Sequence, residues 1–328
     1  YALTGTPILN RPIELFNILK AVDHPLGKIR SAYSRRYCGA YLKTIIRRYG
    51  PPIVFLDESG ATNLNELREK IKGIFLRRKK DDVLDLPEKI IGIMACEMDD
   101  EWQAKYDTAW DRYIQFLEEN PAPDKDLENI IMARQLVEIQ KLKQVCSQSK
   151  IKHISEFIEN AVEQEEKVIV FSQYTETIGL LGGRMSELGI VFETLVGSDS
   201  TEKRQKSIDR FQNDKDCMVF ISNIKAGGIG INLTAGSFVV FADMEWSPEI
   251  HKQAEDRAHR IGQTGTVNVY YFITKDTIEE DILEILNSKK GVLDQVIDGR
   301  NDRIEKSNVY DEFLKRMAVK ALGTNALD

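Results

Sequence analysis

The chain has 328 residues, 42% hydrophobic, 30% charged and 8% aromatic, with a formal net charge of −7. That is enough for two domains and at least one large core, and the composition is ordinary for a globular protein. No run of about 18 apolar residues and no secretory leader pattern occurs, so neither a membrane span nor export is expected; the chain starts at Tyr1 and reads as a piece of a longer protein. Charge is unevenly placed. Residues 24–80 hold 14 Lys/Arg against 4 Asp/Glu, a local balance of +10 that leaves −17 on the remainder. Two readings stand: a nucleic-acid or phosphate surface, or a solvated face laced with salt bridges. So local a surplus favours the first.

From the amino end, IELFNILKAVD (13–23) sets Leu15, Ile18, Leu19 and Val22 on one helical stripe. A second helix is predicted over 64–75, capped by Asn63 or Asn65. Pro87 stops any helix at the end of LRRKKDDVLDLPEK (76–89). Residues 1–90 otherwise read as turns and helices, without strands. IIGIMACEM (90–98) is a strand or an extended linker. Helical periodicity fills 100–149, broken at ENPAPDKD (119–126).

From 151 onward the pattern alternates regularly. Helices are expected at 151–164, near 175–188, at 202–213 behind a Ser200 or Thr201 cap, at 249–260 and from about 277. Between them lie the apolar runs 167–172, 190–196, 218–222, 238–243 and 267–273. Continuous Val/Ile/Phe runs separated by amphipathic helices imply an α/β fold, a parallel sheet covered on both faces. Such sheets bind ligands beyond the carboxyl ends of their strands. One further helix, VYDEFLKRMAVKAL, is expected in the tail.

Cys38, Cys96, Cys146 and Cys217 lack CxxC spacing and lie beside no histidine at metal-ligand spacing. They are expected to be reduced and structural, as in an intracellular protein, with no metal site. The chemistry lies elsewhere. In QAEDRAHRIGQ (253–263), Gln253, Arg257 and Arg260 are four and three apart and share one face of a helix that Gly262 ends. Guanidinium is fixed in charge and forks onto phosphate oxygens. On an isolated helix, pairing of these arginines with Glu255, Asp256 or other carboxylates is the commoner outcome. NIKAGGIGINL (223–233) follows a strand, and its glycines allow close backbone approach to a ligand. It is neither a Walker A loop nor a dinucleotide fingerprint, and no GxxxxGK[ST] occurs anywhere in the 328 residues. LTGTP (3–7), Ser172-Gln173-Tyr174 and Gly197-Ser198 complete the set; each alone is a turn or a cap.

In this order the motifs resemble those of the SWI/SNF-type branch of helicase superfamily two. LTGTP resembles motif III of that family, FLRRKKDDVLDLPEK (75–89) its Leu-Arg-Arg-Lys box, and VIVFSQY (168–174) its motif IV. VGSDSTEKRQKSIDRF (196–211) resembles the box that follows, and KAGGIGINLTAG (225–236) motif V. QAEDRAHRIGQ matches motif VI nearly letter for letter. The resemblance covers residues 1–297, and the run around FVVFADMEWSPEIHKQ is most similar to the distant, annealing-helicase-like group. One departure is Asn223-Ile224, where the family carries small hydroxyls; a hydroxyl contact at 224 is lost.

The resemblance implies a RecA-like sheet preceded by a helical protrusion. The implied segments are 1–90, the end of a first lobe with a basic protrusion; 91–150, linker and helical insertion; 151–298, a second lobe; and 299–328, a helical or flexible tail. It implies that Arg257 and Arg260 are arginine fingers and that Gln253 orients phosphate or water. Gly228, Gly230 and Asn232 would approach the nucleotide. Ser172, Gln173, Gly197, Asn223 and Lys225 would grip DNA phosphates. Thr4, Gly5 and Thr6 would couple the two. ATP with Mg would be bound mainly by a first lobe carrying the phosphate loop and acidic box; Asp57-Glu58 lies after motif III and does not supply that box. The implied partners are double-stranded DNA and that lobe. The implied setting is nuclear in a eukaryote, cytoplasmic or nucleoid in a prokaryote. A non-catalytic helicase-like module and an RNA helicase lobe are the alternatives.

Overall fold

The computed structural model describes residues 1–3, 11–45, 52–58, 60–76, 80, 84–120, 128–226, 230–287 and 309–322. The chain divides into two compact units, one of residues 1–78, 120–132 and 287–312, the other of 79–119, 133–286 and 313–328. Among the described residues no helix is long and apolar enough to cross a membrane.

In the first unit, α1 (Ile13–Ala21), α2 (Arg30–Tyr37) and α3 (Leu64–Ile71) close a small core of Leu15, Phe16, Leu19, Tyr33, Tyr37 and Leu67. The predicted stripe of α1 holds, apart from Val22, which caps the helix at the surface. The Tyr33 ring lies 5.4 Å from Phe16 and 5.1 Å from Tyr37, and its hydroxyl donates to the Pro12 carbonyl at 2.8 Å. Gly27 is required by packing: a Cβ there would stand 2.3 Å from the Lys20 backbone nitrogen. Asn63 takes the cap position of α3 in a left-handed conformation, but its amide donates to the Arg36 carbonyl and caps nothing.

The reading of residues 1–90 as strand-free is corrected here. β1 (Tyr41–Ile45) and β2 (Ile53–Asp57) form an antiparallel hairpin with Lys43 opposite Phe55. The signal was IVFLD, a β-branched and aromatic run just after two prolines. Part of the basic surplus is spent locally. Arg30 pairs with Glu58 at 2.5 Å, Lys70 with Glu66 at 2.9 Å, and Arg36 also with Glu66.

The second unit is built on a six-stranded parallel sheet. Its strands are β3 (Lys89–Cys96), β4 (Val168–Ser172), β5 (Phe192–Leu195), β6 (Val219–Asn223), β7 (Phe238–Phe241) and β8 (Val267–Thr274). They lie in the order β3-β8-β7-β4-β6-β5. Residues 89–96 are therefore a strand, paired along their whole length with β8. Around the sheet the chain forms α4 (Asp100–Glu119), α5 (Glu128–Ser149), α6 (Ile151–Glu163), α7 (Thr175–Glu187), α8 (Thr201–Asn213), α9 (Pro248–Ala258), α10 (278–287) and α11 (Val309–Leu322). Ser200 caps α8, accepting from Lys203 N.

Strand periodicity divides the core in two. Val168, Val170, Val219, Ile221 and Val240 meet Ile154 and Ile158 of α6 and Ile178, Leu181 and Met185 of α7. The alternate residues face α8 and α9: Phe220 lies 5.3 Å from Phe211, and Phe241 lies 4.8 Å from His251. Each such fully buried side chain contributes about 1.5–3 kcal/mol. The four cysteines are free and buried. Burial pushes the Cys38, Cys96 and Cys217 thiols up to about 11, away from reactivity.

Candidate functional site

The strand order reverses about β4. After β4 the chain moves outward to β5, returns to β6, and then crosses β4 to β7 and β8. Loops leaving the carboxyl ends of β4, β6 and β7 therefore converge, where an open α/β sheet places its ligands. Gln173, Asn223–Ala226 and Asp243–Ser247 occupy those loops.

Asp243 organises them. Buried at the end of β7, it accepts the Gln173 backbone N–H at 2.9 Å, the Ser147 hydroxyl at 3.0 Å and the Ser172 hydroxyl. The Ser172 hydroxyl also accepts from Tyr174 N at 3.0 Å, so it is enclosed beneath the surface. The Gln173 side chain donates to the Met244 carbonyl. Asn223 donates to the Gln173 carbonyl at 2.9 Å and accepts from Lys225 N at 3.0 Å, tying the β4 loop to the β6 loop. Lys225 reaches outward and pairs with Glu245 at 2.6 Å. Ile224 is buried, in keeping with the lost hydroxyl.

Below these loops lies Lys143 of α5, fully buried. Its ammonium donates to the Met244 carbonyl at 2.8 Å and sits 4.4 Å from the Trp246 ring centroid. Burial pulls it down to about 8, against the opposing charges of Asp243 and Glu245. Neither Asp243 nor Lys143 was singled out from the sequence. The usable signals were an acid directly ending a buried strand, and a lysine set in the apolar stripe Ile139, Leu142, Cys146.

His251 holds the same loop from α9. Its Nε2 lies 2.9 Å from Glu245 N, and its ring packs edge-on against Phe241 and at a tilt against Tyr271. Burial lowers it to about 4, so it is neutral at physiological pH and accepts that N–H.

The arginine motif differs from its helical projection. α9 ends at Ala258 with His259 as its cap residue, so only Gln253 and Arg257 share its face. Arg260 follows in the turn, and Gly262 takes a left-handed φ of 103° beyond it. Arg260 donates to the Ile231 carbonyl at 3.1 Å, while Leu233 N donates to the Arg257 carbonyl at 3.0 Å. These two bonds seat the loop 230–233 on the end of α9. Gly230, at φ 63°, and Asn232 are exposed on that loop.

Two acids of α9 are engaged by lysines. Glu255 takes Lys89 at 2.7 Å and the Tyr271 hydroxyl at 2.7 Å, and Asp256 takes Lys80 at 2.7 Å. Burial, and next the charge of Arg260, pull the Arg257 guanidinium below its ordinary value. Gly197 is exposed at the end of the β5 loop, its carbonyl accepting from Arg204 at 2.8 Å. Thr4, Gly5, Thr6 and Gly228 lie outside the described residues.

Residues 1–151 match the SNF2-related domain, and residues 149–262 match the helicase conserved C-terminal domain. The chain is 31% identical over 305 residues to the human DNA annealing helicase and endonuclease ZRANB3, covering 92% of this chain and 27% of that protein. The Sulfolobus solfataricus SWI2/SNF2 ATPase core in complex with dsDNA superimposes with a TM-score of 0.54 at 26% identity, over 91% of this chain and 62% of that one. The C-terminal part of the Fun30 ATPase domain shares the fold, with a TM-score of 0.56 at 22% identity, over 72% of this chain and 98% of that one. The chain spans about a quarter of the length of the ZRANB3 relatives it matches. With its parallel RecA-like sheet and ordered motifs, the chain belongs to the SNF2 family of helicase-like ATPases and corresponds to the carboxyl half of their ATPase core.

Proposed function

We propose that this chain forms the carboxyl half of an ATP-dependent translocase on double-stranded DNA, closing on a nucleotide held by a first RecA-like lobe. One observation carries this reading: the loop 230–233 and the end of α9, more than 20 residues apart in the chain, are bonded to each other through Arg260 and Arg257 at the rim of the sheet. Arg257 and Arg260 act as arginine fingers, stabilising charge on the transferred phosphoryl group. Gln253, on the face of Arg257, orients phosphate or water. Gly228, Gly230 and Asn232 border the nucleotide, where the absence of a Cβ at the glycines permits close approach.

Among the described residues no group of three or more His, Cys, Asp and Glu side chains could hold a metal ion. The Mg that accompanies ATP belongs to the first lobe.

On the DNA side, Gln173, Gly197, Asn223 and Lys225 contact phosphates, with Ser172 and Asp243 holding the β4 loop in place. Thr4, Gly5 and Thr6 link DNA and nucleotide sites. Lys225 is the electrostatic contact; its pairing with Glu245 exchanges for a phosphate when DNA arrives. Support comes from the similarity to the SWI2/SNF2 core solved with dsDNA. Contacts to phosphates alone are sequence-independent and release counterions. Duplex affinity is therefore expected to fall at least roughly tenfold between 50 and 200 mM salt, equally for unrelated sequences. Fluorescence anisotropy with two duplexes of different sequence measures both; a flat salt response or a strong sequence preference contradicts the assignment.

A further inference from the structure

The hairpin β1–β2 is unlike the rest of the first unit. A two-stranded ribbon is marginal by itself in water, yet this one turns large apolar side chains outward on both faces. Tyr41 is 58% and Phe55 39% exposed on one face, and Leu42 and Val54 are exposed on the other. Exposed apolar surface of this kind marks a binding site more often than chance.

The register defines the first face. Lys43 lies opposite Phe55 and Tyr41 opposite Asp57, so Tyr41 and Phe55 are diagonal neighbours with Lys43 beside both. Two aromatic rings, Lys43 and Asp57 share one pleated surface. That surface lies within the segment carrying 14 basic and 4 acidic residues, a balance of +10. Protein-docking patches enrich aromatic rings but exclude lysine from their centres. A strand of unpaired nucleotides instead offers π-faces and phosphates in alternation, and binds to aromatic platforms set in basic surface. Duplex DNA keeps its bases stacked inside and offers no such faces.

We propose that the Tyr41–Lys43–Phe55 face is a binding site for single-stranded nucleic acid. Bases stack on Tyr41 and Phe55 while Lys43 meets the backbone. The site lies on the first unit, whereas the duplex contacts proposed above lie on the second.

The test uses the purified 328-residue chain and three fluorescein-labelled probes: a dT 20-mer, a 20-mer of abasic sites and a 20-bp duplex. Tyr41→Ala/Phe55→Ala is expected to weaken dT binding roughly tenfold for each ring removed, leaving duplex and abasic binding unchanged. Tyr41→Phe retains the platform and should bind as wild type. Leu42→Ser/Val54→Ser, on the opposite face, should also leave dT binding intact. A 2-aminopurine placed in the dT strand should be quenched by wild type and not by the double alanine variant, which reports stacking directly. Equal binding of the dT and abasic strands by wild type, undiminished dT binding by the double alanine variant, or an equal loss from the Leu42/Val54 variant would overturn the proposal, the last pointing to a protein-docking role. Should the alanine variant not fold, the abasic comparison and the quench on wild type still decide.

Discussion

Arg260→Ala, introduced into the intact protein, is expected to abolish DNA-stimulated ATP turnover while leaving ATP binding largely unchanged. The expectation rests on placement. Arg260 lies past the end of α9 and is anchored to the Ile231 carbonyl by one of its guanidinium nitrogens. That bond leaves the rest of the guanidinium able to fork onto an incoming anion. The two acids nearest it on the helix, Glu255 and Asp256, are held by Lys89, Tyr271 and Lys80. An arginine that meets phosphate only as charge develops contributes to turnover and little to ground-state affinity. Such fingers are worth about 10³–10⁵ in rate. Phosphate release and the binding of a fluorescent nucleotide, measured on one preparation, separate the two effects. Turnover within about tenfold of wild type would remove Arg260 from the finger role. A parallel loss of nucleotide affinity would make it a ground-state binder.

The second large effect concerns stability. Lys150 and Glu279 form an ion pair at 2.6 Å with relative side-chain exposures of 0% and 1%. The ammonium also donates to the Phe272 carbonyl at 2.8 Å, and the carboxylate accepts Thr274 N at 2.9 Å. The pair joins the start of α6 to the start of α10, and each partner also bonds the end of β8. Removing one partner strands a charge in the core, at a cost of about 3–5 kcal/mol. Glu279→Ala adds the unsatisfied Thr274 N–H. Its melting temperature is expected to fall by roughly 10 °C. Replacing both partners by apolar residues, as in Lys150→Met/Glu279→Leu, should recover most of that loss, because the desolvation cost vanishes with the charges. A Glu279→Ala shift under about 2 °C, or a double variant no better than the single, would show that the pair is not the strut the structure suggests.

Much of this architecture is legible in the sequence, for physical reasons that differ between elements. Val168–Phe171 and Val219–Ile221 are buried on both faces and therefore read as unbroken apolar runs. The tail helix was bounded correctly at Val309–Leu322 by its own periodicity. The hairpin escaped because its strands are five residues long and half solvated, so no alternation marks an inner face. The end of α9 was placed too late because HRIG continues a helical spacing, while the bonds of Leu233 and Arg260 hold the chain in a turn there. Long-range bonds of that kind have no local sequence signature.

The site shows the same division. Arg257, Arg260, Gly230 and Asn232 are legible because their motif fixes them. Asp243 and Lys143, which hold the loops from beneath, became visible only when α5, β4 and β7 were brought together. The departure at Asn223-Ile224 also has its meaning only in three dimensions. Asn223 uses its amide to brace Gln173, and Ile224 is buried as core.

The central claim is that the arginines of α9 and its following turn serve a nucleotide held by another segment, since no GxxxxGK[ST] occurs in these 328 residues. DNA-dependent phosphate release from the purified 328-residue chain, by itself, tests it most directly. The expected result is release at the background rate with and without duplex DNA. Robust DNA-stimulated release from this chain alone would contradict the claim and require a complete nucleotide site within it.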